Sequence, residues 1–191
     1  MSIRTIATIG HPVLRERARD VTPEELASDR IQRLIDDMFD TMSDQEGIGL
    51  AAPQVHESLR IFVAGLTDAD VVTPMDDDRD MPYIALINPE VSVVDPTVSV
   101  GWEGCLSIPD IRGKVPRPVS VQVRALDRKG RRIEIVASGL PARVIQHEND
   151  HLDGVLFFDR MGTFETLTFL DEFRKHWTRR DEDGDDAEVD A

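Results

Sequence analysis

Three features of the sequence predict an α+β fold in which short mixed or antiparallel strands pack around a central helix. Ile31, Leu34, Ile35, Met38 and Met42 recur at helical spacing early in the chain. Val119, Val121 and Val123 alternate at strand spacing, turn at Arg128–Gly130 and resume with Ile133 and Ile135, which is a hairpin pattern. A second helical segment, from about Leu140, carries His147 and His151 in a His-Glu-x-x-His motif, and a third closes the patterned part of the chain. Strands grouped between helices, rather than alternating with them, argue against a doubly wound parallel sheet.

The N-terminal helix opens at "TPEEL", where Thr22 supplies the N-cap, Pro23 the first helical position and Glu25 a capping box. It continues through "RIQRLIDDMFDTM", sets one face on the core and stops before Gly47. "LRIFVAGL" has the apolar run of a buried strand. "TDADVVTPMDDDRDMP" is acidic, proline-punctuated and without a period, hence a surface loop. "YIALINPEVSVV" and "TVSVGWEG" are short strands, and the hairpin follows them. The C-terminal helix covers about "TFETLTFLDEFRKHWTRR", with Phe164, Leu167, Leu170 and Phe173 as its apolar residues.

The chain of 191 residues, 40% hydrophobic, suits one well-packed domain, expected over 1–178. The formal charge is −15, yet the stretch from Asp181 onward holds seven acids and no base. Residues 179–191 are therefore expected to be a disordered solubilising tail rather than a docking segment. An acidic body argues against binding to DNA or other duplex nucleic acid. The N-terminus lacks the apolar core of a signal peptide, and no later apolar run reaches the length of a membrane span. Cys105 is the single cysteine and has no internal partner, so the expected location is a reducing cytoplasm.

"VIQHENDHLDG" raises the first chemical question. On a helix His147 and His151 lie about 40° apart around the axis and one turn apart along it, so both rings can reach one ion. Glu148 lies about 100° round from His147, off the ligand pair but near enough to reach a water at the site. The bland alternative is a solvated amphipathic helix. A third ligand favours the metal reading, since open catalytic sites of the zinc type use three protein ligands. Cys105, in "GWEGCLSIPD", is the candidate, against the commoner fate of a small buried hydrophobe. Glu103 and Asp150 are candidate acceptors for histidine or backbone N–H groups. "EGIGLAAPQV" adds a glycine-rich turn in which Gln54 could donate to a developing oxyanion, although such turns before strands are common.

Together these stretches make the chain resemble the bacterial peptide deformylases. Three motifs of that family appear in order: "GIGLAAPQ" at 47–54, "EGCLS" at 103–107 and "QHENDHL" at 146–152. The likeness spans roughly residues 5 to 175 and adds the Cys motif that a zinc endopeptidase would lack. It implies ligation of one divalent metal ion by Cys105, His147 and His151. Iron(II) is the implied physiological ion, with zinc, nickel or cobalt able to replace it. Glu148 would be the general acid and base, while the Gln54 side chain and the Leu106 backbone N–H would hold the oxyanion. Ile48 and Gly49 would pair with the substrate backbone. Gly101, Glu103, Arg112, Leu140, Arg143 and Val144 would line the groove and the methionine pocket.

The implied activity is removal of the N-formyl group from the N-terminal formyl-methionine of nascent polypeptides, with release of formate. Implied with it are a cytoplasmic monomer and docking near the exit tunnel of the ribosome. Two positions depart from the family. Residue 143 is usually apolar and is arginine here, so its stem should form pocket wall while its head reaches solvent or an acidic partner at the rim. The acidic tail also differs from the basic C-terminal end that some members place on the ribosome. Two rival readings are a metal-binding or ribosome-associated protein without turnover, and a hydrolase of other N-formyl amines. Retention of Glu148 and Gln54 counts against the first.

Overall fold

The computed structural model describes residues 2–66 and 81–177. The capping box at Thr22 and Glu25 forms as expected and starts α1 (Pro23–Leu26). A second start signal, Ser28 accepting from the Ile31 N–H, breaks the expected single N-terminal helix and begins α2 (Asp29–Asp44). All five periodic residues of α2 are fully buried. Six strands follow or intervene: β1 (Gly49–Ala51), β2 (Ile61–Ala64), β3 (Ile84–Cys105), β4 (Ile108–Leu126), β5 (Arg132–Ser138) and β6 (Thr168–Phe169). The last two helices are α3 (Gly139–Leu152) and α4 (Leu170–His176).

Every strand pair is antiparallel, in the order β1-β2-β3-β4-β5, with β6 added to β4. The strands are not all short. The two candidates before the hairpin join into β3, 22 residues long, and β4 extends to 19 residues. Register shifts near Val93, Asp95 and Val98 carry the pair through its irregular stretch, so "DPT" interrupts the pattern without ending the strand.

The core explains why β2 is apolar throughout. Ile61 and Val63 face α2 with Leu50, Ala85 and Ile87. Phe62 and Ala64 face α3 with Ile84, Leu86, Val121 and Val123. Helices therefore cover both faces of this part of the sheet, and alternate side chains serve each. Val119, at the start of the alternation, is only half-buried. A third apolar cluster, with Leu14, Val115, Leu156 and Phe157, surrounds Cys105.

The C-terminal helix is shorter than expected. Residues 163–169 form a turn and β6, which pairs Thr168 with Arg112 and Phe169 with Ile111. Phe164 and Phe169 are exposed, so the apolar residues of this segment do not make one helical face. Met81 and Pro82, at the end of the expected surface loop, are buried. The rest of that loop and the acidic tail lie outside the described residues. Among the described residues no helix is long and apolar enough to cross a membrane.

Candidate active site

Helix α3 keeps His147, Glu148 and His151 buried against the strands, and Cys105 ends β3 where the chain turns through Leu106 and Ser107. The ligand atoms of Cys105, His147 and His151 all lie within 4.8 Å of one another. Cys105 Sγ is 3.3 Å from His151 Nε2. One thiol and two imidazoles converging in this way suit several divalent ions. The His147 Nδ1 lies 2.8 Å from Glu103 Oε2. An ionised carboxylate can only accept, so Nδ1 carries the proton and Nε2 is left for the site. The buried His151 Nδ1 has no hydrogen-bond partner among the described residues.

Electrostatics favour the ligand form of the thiol. Burial alone would raise the Cys105 pKa, but His151 and His147 together hold it well below its ordinary value. Burial would likewise lower the His147 pKa, whereas Cys105 and Glu103 drive it well above the usual imidazole range. The result is a thiolate among imidazoles, a charge pattern that a divalent cation can replace with release of protons.

Glu103 organises the layer behind the histidine. Arg117 donates Nε to Oε1 and Nη2 to Oε2, each at 2.9 Å, and Arg143 Nη1 donates to Oε1 at 2.9 Å. Burial pushes this carboxyl up, and hydrogen bonds from His147 and Arg117 more than reverse the effect, to about 2. Asp150 meets no histidine. It accepts from Arg117 Nη1 at 2.6 Å and from Arg160 Nη2 at 2.7 Å, so Arg117 bridges two buried acids. Nothing in the sequence assigned Arg117 a part. The signal was indirect: two acids within the motifs needed a cation, but Arg117 stands 33 residues from Asp150.

Among the buried acids of the described residues, Glu148 is the one with a side-chain oxygen left without a partner. Oε2 has no hydrogen bond among the described residues, and burial lifts the pKa to about 7. Its carboxyl lies so close to Gly49 that a Cβ there would fall 2.7 Å from Glu148 Cδ. Gln54 is oriented from both ends. Its Oε1 accepts from Ala51 N–H at 2.8 Å, and its Nε2 points to Ser107 Oγ (3.2 Å) and Cys105 Sγ (3.4 Å).

These groups face a cleft of about 470 Å³. Leu140, Arg143 and Val144 of α3 line it, as do Ile48 and Gly49. Glu103, Cys105, Leu106 and Arg112 contribute to the same lining, with Trp102 and Leu170. Of the site residues picked out in the sequence, His151, Gly101 and Asp150 do not line it. His151 is fully buried, and Gly101 lies under the Arg143 guanidinium, whose Cζ would be 3.0 Å from a Cβ there. Arg143 finds its acidic partner inside rather than at the rim. Its head also donates to the carbonyls of Val115 (2.7 Å) and Ser99 (2.8 Å), and the side chain is only 12% exposed. Trp102 and Leu170 were not anticipated, because neither lies within a motif residue set that carries chemistry.

The polypeptide deformylase family model matches residues 3–166. The chain belongs to the polypeptide deformylase family. It is 42% identical over 170 residues to the peptide deformylase of Thermomicrobium roseum, covering 89% of this chain and 92% of that one. It is 40% identical over 174 residues to the chloroplastic peptide deformylase 1A of Solanum lycopersicum, covering 87% of this chain. The chain spans 63% of the length of that plant relative. Among solved structures it resembles the Met-Ala-Ser-bound class I type b peptide deformylase of Acinetobacter baumannii, with a TM-score of 0.75 and 37% identity. That match covers 84% of this chain and all of the other. The Cys105, His147 and His151 cluster is a site that can hold a metal ion.

Proposed function

We propose that this chain hydrolyses the N-formyl group from the N-terminal formyl-methionine of newly made polypeptides, releasing formate and a free amine. The observation that carries the reading is Glu148: a buried carboxyl, lifted to about 7, with a free oxygen beside a Cys–His–His cluster. A group with that pKa can both take and return a proton near neutrality. A mere metal store has no use for it.

Cys105, His147 and His151 would hold one divalent ion. Bound there, the ion would lower the pKa of water and polarise the formyl carbonyl. Glu148 takes a proton from the attacking water, the C–N bond breaks after water adds to the formyl carbon, and Glu148 passes the proton to the leaving amine. The Gln54 Nε2–H and the Leu106 backbone N–H stabilise the negative charge that develops on the formyl oxygen, each donor contributing about 3 kcal/mol. A formyl carbon bears only hydrogen, so a tight site admits it and excludes acetyl. Leu140, Val144 and the Arg143 stem receive the methionine side chain, and Ile48 and Gly49 pair with the peptide backbone.

The Met-Ala-Ser tripeptide bound by the A. baumannii relative supports a peptide substrate. Iron(II) is the proposed ion, with zinc, nickel or cobalt able to replace it, because a thiolate and two imidazoles do not discriminate strongly among them. A single catalytic domain over 1–178 with an acidic tail, a monomeric state, a cytoplasmic site of action and contact with the ribosome complete the proposal. The test is formate release from formyl-Met-Ala, acetyl-Met-Ala and formylated small amines. Release from formyl-Met-Ala alone is expected. Equal release from the small amines would make the chain a general N-formyl hydrolase, and no release from any would overturn the reading.

A further inference from the structure

Trp102 is oriented away from the chemistry yet faces the cleft. Gly101 and Glu103 turn to the α3 side of β3, where they meet Arg143 and His147. Strand alternation therefore sends Trp102 to the opposite face. There its ring is backed by Phe173 (centroids 4.8 Å apart) and Trp177 (5.3 Å), with Lys114 Nζ 5.5 Å from the ring centroid. Helix α4 is held in place by the β6–β4 pairing and by the Lys114 N–H donating to Thr166 Oγ1 at 3.1 Å. Leu170, the first residue of α4, lines the cleft on this same side.

Two unpaired strand edges border that cleft. Among the described residues β1 pairs only with β2, and Gly101–Gly104 pair only with β4. An extended peptide laid between these edges alternates its side chains like any strand. With the first side chain turned to the α3 pocket, the second must point to the opposite face, and the third returns toward α3.

We propose that Trp102 and Leu170, backed by α4, form a wall that contacts the second side chain of the peptide and favours a large apolar residue there. The inference rests on the proposed reading of the cleft as a formyl-Met peptide site. Leucine or phenylalanine gains apolar contact with the wall, alanine falls short of it, and lysine meets like charge from Arg112 and Lys114. A half-open wall should favour phenylalanine over alanine by about fivefold, below the roughly tenfold or more that one methylene gives in an enclosed pocket.

The test compares kcat/KM for formyl-Met-Phe-Ser, formyl-Met-Ala-Ser and formyl-Met-Lys-Ser in the metal-loaded protein, and in Trp102→Ala, Trp102→Phe and Leu170→Ala. The ratio between substrates is read within each protein, so partial unfolding lowers every rate and leaves the ratio alone. The Phe:Ala ratio should fall below about twofold in Trp102→Ala, be retained in Trp102→Phe and shrink in Leu170→Ala. A flat series in the wild type, or a preference that survives Trp102→Ala, overturns the wall. The Kd ratio of the unformylated Met-Phe-Ser and Met-Ala-Ser, by calorimetry, decides the same point without turnover. Peptide preference without formate release would leave the wall standing and sink the proposed activity instead.

Discussion

Gly49 and Glu148 belong to one device although 99 residues separate them in number. The proposed general base has its pKa raised chiefly by burial, and burial requires that something pack against its carboxyl. Only a residue without a side chain can do so here, since a Cβ would lie 2.8 Å from Glu148 Cγ. Gly49→Ala is therefore expected to displace Glu148 and lower kcat about 100-fold while metal content stays at one ion per chain. Kinetics paired with elemental analysis check this, and full activity in Gly49→Ala would show that the close approach is incidental. Arg143 is the other residue that decides local geometry. Its guanidinium ties α3 to Ser99 and Val115 of the two long strands and helps neutralise Glu103. Arg143→Ala should lower stability by about 2 kcal/mol through lost hydrogen bonds to a buried acid, and relax the preference for formyl-Met over formyl-Leu and formyl-Phe. Unchanged melting and unchanged kinetics across those peptides would remove it from the pocket.

At the scale of elements, α3 must stop directly after His151 so that the chain can turn and seal the third core cluster. It does so with Gly154 at φ 73, where Val155 N–H bonds to Asp150 O (2.9 Å) and Gly154 N–H to His151 O (3.3 Å). This is a Schellman ending. A Cβ at Gly154 would sit 2.7 Å from the Arg15 carbonyl oxygen. Gly154→Ala is expected to cost about 2 kcal/mol in denaturant unfolding, from the left-handed backbone and the clash together. A loss below a few tenths would mean that the Arg15 segment yields freely. Elements of this kind were legible where pattern and chemistry agree. The α2 stripe, the β4–β5 hairpin and the His-Glu-x-x-His helix all follow from period and caps. The union of two short strands into β3 was not legible, because Pro96 looks like a terminator until the pairing with β4 is seen. The shortening of the last helix had the same cause. β6 exists only because Ile111 and Arg112 offer it an edge. The Cys105, His147 and His151 cluster could be read from two of the three motifs, whereas Arg117 and Trp102 act through contacts that sequence spacing does not encode.

For the whole molecule, helices cover both faces of the sheet around β2, and the cleft opens where, among the described residues, β1 and the outer half of β3 leave edges unpaired. The body carries the site, so the acidic end should be dispensable to it. Seven acids in the last eleven residues, with only alanine and valine as apolar company, give a sequence with little apolar surface to bury. Ending the chain after Arg180 should leave Tm within about 1 °C and turnover unchanged, as differential scanning and formate assays would show. A large fall in Tm would mean that the tail packs on the body. In the proposed mechanism Cys105, His147 and His151 hold the ion while Glu148 moves the proton. Formate released per bound metal ion, measured in wild type, Cys105→Ala and Glu148→Ala, tests it most directly. Glu148→Ala should keep about one ion per chain and lose about 1,000-fold or more in turnover, while Cys105→Ala should lose the ion itself. Full metal in Cys105→Ala, or equal loss of metal in both variants, would contradict the account.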